Sequence, residues 1–220
     1  MVYDPNDPSF LYVGTNFLYR WTELDQLQGG WIVHLGGRRL SAKGHINAIA
    51  IAPGDSNRIY TGSSDNEVWM SADFGRRWQP IDAGLPRSGE ITSISVHPNN
   101  PSDILVALKK PTASISRLWH CVNTMDGLIV WTDVTGRGRP NALPSFPVNT
   151  IARDLIDPER NWFVGTDIGV FFTNDGGFNW YDATGPLGLP NVAISDLRVV
   201  AKTRHVYAAT FGRGIWQATL

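Results

Sequence analysis

One short pattern governs what this chain can become. An apolar hexamer recurs five times, as FLYVGT (10–15), RIYTGS (58–63), DILVAL (103–108), NWFVGT (161–166) and HVYAAT (205–210). Its fifth position, at residues 14, 62, 107, 165 and 209, repeats at spacings of 48, 45, 58 and 44. Each hexamer follows a polar turn such as 4–9, 53–57, 97–102 or 157–160, rich in Pro, Asn and Asp, residues that reverse a chain locally. A fixed period in this range marks a repeat architecture in which each unit buries its faces on its neighbours.

The rest of the unit follows from alternation. After the hexamer comes a segment centred on an aromatic: FLYRW (17–21), EVWMS (67–71), RLWHC (117–121), GVFFT (169–173) and GIWQA (214–218). Ahead of the turn in four repeats lies INAIAI (46–51), ITSISV (91–96), VNTIAR (148–153) or ISDLRV (194–199), whose period of two and β-branched content predict a strand. A fourth short strand is predicted to open at Trp31, Trp78, Trp131 or Trp180. Four-stranded antiparallel sheets at this repeat length predict an all-β propeller of about five blades, one domain over residues 1–220. Its first and last blades are incomplete, because only residues 1–4 remain for the first inner strand and the last repeat stops before a fourth strand.

The segment joining the third and fourth strands carries the most specific motif. Ser71, Asp73, Gly75 and Trp78 match Thr173, Asp175, Gly177 and Trp180 in the pattern S/T-x-D-x-G-x-x-W. Thr124, Asp126 and Trp131 keep the same register, with Gly one place early. The carboxylate and hydroxyl accept backbone N–H bonds at a reversal, Gly supplies positive φ, and Trp covers the turn. These residues resemble the Asp-box (BNR) repeat of the superfamily of sialidase, xyloglucan-hydrolase and sortilin-like propellers, which also includes photosystem assembly factors. The closing segment YAATFGRGIW (207–216) is similar to the end of many such chains. The resemblance implies that the boxes are structural turns facing away from the ligand site.

The opposite face, built from loops between second and third strands and from loops joining blades, is where a ligand is expected. It offers Asn16, Asp65, Lys109, Asp167, Phe211 and Arg213 as candidate binding residues, with Glu90, Arg87, Arg137 and Arg139 nearby. Glycoside hydrolysis needs two carboxyls, one protonated and one ionised, for which Asp65 and Asp167 are the candidates. The sialidase Arg-Ile-Pro triplet is absent, and Asn16 stands where the resemblance to xyloglucan hydrolases implies a catalytic Asp. An amide is no general base near neutral pH. The preferred expectation is therefore a non-catalytic binding or scaffold domain, with a glycan as ligand class. A divergent glycoside hydrolase and a protein-assembly factor are the alternatives.

Composition narrows this further. A net charge of −1 with 18% charged residues gives no bulk attraction to nucleic acid. The five His are scattered and the single Cys121 lies among apolar neighbours, so neither a metal site nor a cofactor is expected. No run approaches the roughly 18 apolar residues of a membrane span, and the first residues lack a signal-peptide layout. The expected partners are a glycan or a protein, including an identical subunit paired through the incomplete terminal blades. The chain reads as soluble, with no compartment assigned.

Overall fold

The computed structural model describes residues 1–22, 35–109, 117–122 and 129–220. The chain is all-β: among the described residues the one helical element is a 3-10 turn at Leu35–Gly37. No helix among them is long and apolar enough to cross a membrane.

Five antiparallel sheets follow one another in chain order. The first holds β1 (Val2–Tyr3), β2 (Leu11–Gly14) and β3 (Leu18–Trp21). The second holds β4 (Ile46–Ala52), β5 (Asp55–Ser63), β6 (Val68–Ser71) and β7 (Gln79–Pro80). The third holds β8 (Glu90–His97), β9 (Asn100–Lys109), β10 (Leu118–Val122) and β11 (Trp131–Asp133). The fourth holds β12 (Val148–Arg153), β13 (Trp162–Thr166), β14 (Gly169–Thr173) and β15 (Tyr181–Asp182), and the fifth holds β16 (Ile194–Val200), β17 (His205–Thr210) and β18 (Gly214–Thr219). Every hexamer lies on the second strand of its sheet. The strands run further into two of the polar turns than their sequence predicts, so that β4 and β5 are joined by Pro53 and Gly54 alone, with Gly54 at φ 78°. Proline sets the bend and glycine takes the left-handed conformation that a side chain would resist.

Two compact units make up the chain, Met1–Ile104 with Val122–Val130, and Leu105–Cys121 with Trp131–Leu220. In the first unit, Tyr12 and Leu18 of the first sheet pack with Ile46, Ile51, Ile59 and Trp69 of the second, beneath Leu35, Leu40 and Trp78. In the second unit, one cluster joins Leu105 and Leu118 to Val148, Ile151, Val164 and Phe171, and another joins Phe163 and Val170 to Ile194, Leu197 and Val206. Full burial of such side chains contributes about 1.5–3 kcal/mol each, which makes sheet-on-sheet contact the main source of stability. Cys121 is one of these buried groups.

Consecutive sheets are also tied through their first turns. The Asn6 side chain donates to the Ala52 carbonyl at 2.9 Å and accepts from the Gly54 N–H, linking the β1–β2 turn to the β4–β5 turn. In the second unit, Arg204 after β16 donates to Asp154 after β12 at 2.7 Å, and the Asp154 side chain is only 3% exposed. Burial raises the Asp154 carboxyl, but Arg204 and the Ile156 N–H more than offset it and hold the pKa below its ordinary value.

The two S/T-x-D-x-G-x-x-W turns fold alike, bond for bond. Ser71 donates to Asp73 at 3.0 Å and accepts from the Gly75 N–H at 2.9 Å, while Asp73 accepts from the Arg77 N–H at 2.8 Å. Thr173 donates to Asp175 at 2.8 Å and accepts from the Gly177 N–H at 3.0 Å, while Asp175 accepts from the Asn179 N–H at 2.9 Å. Gly75 and Gly177 sit at φ 83° and 87°. Trp78 and Trp180 each stop one residue short of the strand predicted to open with them. Each indole is instead turned inward, Trp78 donating to the Leu35 and Gly75 carbonyls and Trp180 to the Val134 carbonyl. Thr124 and Asp126 lie outside the described residues, whereas Trp131 begins β11.

Candidate functional site

Three inner strands open with the same irregularity. Pairing runs from Ile46–Ser63 to Ala48–Gly62, from Val148–Thr166 to Thr150–Gly165, and from Ile194–Thr210 to Asp196–Ala209. Each step skips one residue, so Asn47, Asn149 and Ser195 are extra residues in β-bulges. A bulge breaks the ladder locally and re-aims side chains, and it is over-represented beside functional sites. Here it sets a polar side chain at one end of each sheet, beside the loop joining the second and third strands. The S/T-x-D turns lie at the other end of their sheets, where the Phe74 N–H donates to the Asn57 carbonyl and the Gly176 N–H to the Arg160 carbonyl.

In the first unit this end is a tied set of loops. The Asn16 carbonyl accepts from the Leu40 N–H and the Thr15 carbonyl from the Ile46 N–H. Asp65 is clasped by Ser41, whose hydroxyl donates at 2.7 Å, and by the Lys43 N–H at 2.7 Å. Burial raises the Asp65 carboxyl, but the bonds from Ser63, Ser41 and Lys43 outweigh it and leave the pKa at about 2. Beside it, Ser64 accepts from the His45 N–H at 3.0 Å, and the Arg39 guanidinium sits 5.9 Å from the Phe17 ring centre.

The second unit presents a more open set. Asn149 donates to Asp167 at 2.9 Å, both on the exposed side of the bulge and hairpin. Behind them Arg117 is 4% exposed; burial pulls its pKa below the ordinary guanidinium value, and Asp167 counters that effect. Thr150 contacts Asp196 at 3.4 Å, and Asp196 pairs with Arg198 at 3.1 Å. The β17–β18 hairpin is braced by Thr210 donating to the Gly214 carbonyl and by the Trp216 indole donating to the Arg213 carbonyl. That bracing holds Phe211 out at 81% exposure, with Arg213 two residues on.

The sequence-derived candidates therefore divide between the two units. Asn16 and Asp65 belong to the first, while Lys109, Asp167, Phe211 and Arg213 belong to the second, with Lys109 exposed at the last position of β9. Asn47, Asn149, Ser195 and Asp196 were not singled out by the sequence; the sign available was a polar residue after the opening Ile or Val of each inner strand. One loop corrects expectation. Arg139, expected among the loops at the bulge end, instead lies 4.3 Å over the Phe178 ring, inside the 173–180 turn. The short β11 explains this, because residue 134 onward travels alongside that turn, where the Val134 carbonyl receives Trp180. Among the described residues no three His, Cys, Asp or Glu come together as metal ligands.

No family model matches the sequence, and no curated protein matches it. Solved structures do. An ancestral GH74 enzyme aligns at 19% identity and TM-score 0.66, covering 95% of this chain and 27% of that one. The GH74 xyloglucanase from Xanthomonas campestris aligns at 17% identity and TM-score 0.68, covering 98% and 35%. The Cps50 (Swd1) β-propeller domain from Myceliophteria thermophila aligns at 13% identity and TM-score 0.68, covering 95% and 61%. The chain thus spans about a third or less of the GH74 structures. At these identities the likeness shows the fold alone, and that fold is a β-propeller of repeated antiparallel blades.

Proposed function

We propose that this propeller binds a glycan through the bulge-and-hairpin end of its sheets and performs no hydrolysis there. The observation that carries the reading is the Asn149–Asp167 pair at 2.9 Å on the same end of the adjoining sheets as the exposed Phe211. Sugar recognition combines directional partners for hydroxyls with an aromatic face for the C–H side of a pyranose. Asn149, Asp167 and Asp196 offer the first, and Phe211 the second. We read the S/T-x-D-x-G-x-x-W turns as structural Asp boxes, since their polar atoms are spent on their own backbone.

The hydrolytic alternative, prompted by the GH74 likeness, asks Asp65 or Asp167 to hold a proton near neutral pH. Asp65, at about 2, is the opposite of a general acid. Titration of the 220-residue chain with xyloglucan and β-glucan oligosaccharides, followed by calorimetry and a reducing-end assay, separates the readings. Binding weakened at least tenfold by Phe211→Ala or Asn149→Ala, with no new reducing ends, supports the proposal. Reducing-end release abolished by Asp167→Asn, or absence of binding to every oligosaccharide, refutes it.

A further inference from the structure

Residues 38–45, which lead into β4 in the first unit, hold Arg38, Arg39, Lys43 and His45 within eight positions. All four are exposed, whereas Leu40 and Ser41 between them are buried. The main chain is pinned around each cation. Ahead of Arg38 the Leu35 carbonyl accepts from the Trp78 indole at 3.2 Å, and after Arg39 the Leu40 N–H donates to the Asn16 carbonyl at 2.9 Å. Ser41 and the Lys43 N–H both donate to Asp65 at 2.7 Å, and the His45 N–H donates to Ser64 at 3.0 Å. Neutral groups therefore fix the segment, and its cationic side chains are left over.

The pins also fix where those charges stand. Asn16, Ser64 and Asp65 lie on the hairpin loops of the first two sheets, at the end that carries the Asn47 bulge. The Arg38 guanidinium lies 4.2 Å over the Trp69 ring, close to the start of β6, and that of Arg39 lies near Phe17 in the β2–β3 loop. Among the described residues, Arg38, Arg39 and Lys43 form no ion pair. The carboxylates of the same hairpin are engaged elsewhere, Asp65 by Ser41 and the Lys43 N–H and Glu67 by the Trp69 indole at 3.3 Å.

We propose that the glycan taken by this end of the first unit is anionic, its carboxylate or sulfate groups pairing with Arg38, Arg39 and Lys43. The inference rests on the glycan reading above and narrows it. A guanidinium presents N–H donors in a fork that matches two oxygens of a carboxylate or sulfate, a fit that a neutral hydroxyl does not use. Stacking on Trp69 and Phe17 holds the planar groups at the protein surface. Because the segment is already ordered, little main-chain freedom is lost on binding. The attraction is between exposed charges, so it weakens as salt rises.

Calorimetric titration of the 220-residue chain with oligogalacturonate, a sulfated heparin oligosaccharide and a neutral xyloglucan oligosaccharide tests this at low salt, with single-stranded DNA as a second polyanion. At least one anionic sugar binds at least tenfold more tightly than the neutral one, and which of the two does so tells uronate from sulfate. The triple variant Arg38→Gln, Arg39→Gln, Lys43→Gln loses that preference while keeping its affinity for the neutral sugar, and circular dichroism confirms that it is folded. Equal affinity for neutral and anionic sugars overturns the inference and leaves the glycan reading standing. So does a preference that survives in the triple variant, or DNA bound as tightly as the anionic sugar. Binding of no sugar at all overturns the glycan reading and this inference with it.

Discussion

Gly165 on β13 and Ile194 at the start of β16 are in such close contact that a single methyl on the glycine would stand 2.7 Å from the isoleucine Cγ2 and 2.6 Å from the Thr150 Cγ2. Backbone and side chain are matched in size there, and neither neighbour is a flexible chain end. Gly165→Ala is therefore expected to destabilise by about 1–3 kcal/mol through overpacking. Urea denaturation measures it, and an unchanged midpoint would show that the sheets are less tightly apposed.

The threonine of the 173–180 turn is 1% exposed and serves three partners, donating to Asp175 and accepting from the Asp175 and Gly177 N–H groups. Thr173→Val keeps the shape and strands those backbone donors. A loss of about 1–3 kcal/mol follows from leaving buried N–H groups without acceptors. Ser71→Ala should cost a similar amount, since the bonds of Ser71 are the same; chemical denaturation of the two variants side by side checks whether the turns are equivalent.

Asp65 gives a pH signature. Its folded carboxyl lies at about 2, below its ordinary value of 3.8. A depressed folded pKa means that the stabilisation is complete above the ordinary value and is lost as pH falls through the folded one. The stability difference between wild type and Asp65→Asn should hold from pH 7 to about 4 and shrink towards pH 2. A difference that persists unchanged at pH 2 would mean that Ser41 and Lys43 do not hold the carboxylate in solution.

Arg204 is the partner of a nearly buried carboxylate, Asp154. Removing it leaves that charge with only the Ile156 N–H and the Asn161 side chain, so Arg204→Ala is expected to cost about 3 kcal/mol. Much of that loss should be recovered in the double variant Arg204→Ala with Asp154→Asn, read by thermal melting.

Much of the fold was legible because it is written in side-chain period and size. The five hexamers marked the second strand of every sheet, and the two complete S/T-x-D-x-G-x-x-W matches marked two reversals with the same bonds. The bulges were passed over although they leave a mark. In INAIAI the isoleucines stand at 46, 49 and 51, and the interval of three breaks the period of two where Asn47 is skipped. The Asn149–Asp167 bond was not legible, because it joins two elements through such a skipped residue. The path of residues 134–143 was hidden by strand length, because nothing in the sequence told that β11 ends at Asp133 and leaves Arg139 beside Phe178.

The second and fourth sheets each have one end locked by its own hydrogen bonds and an opposite end, the proposed binding end, where bulge and hairpin hold polar groups outward. Hydrogen exchange with and without a saturating xyloglucan oligosaccharide tests that division most directly. Protection is predicted at 147–150, 166–168, 193–196 and 210–214, with none at 72–77 or 174–179. Protection concentrated in the latter two turns would contradict it.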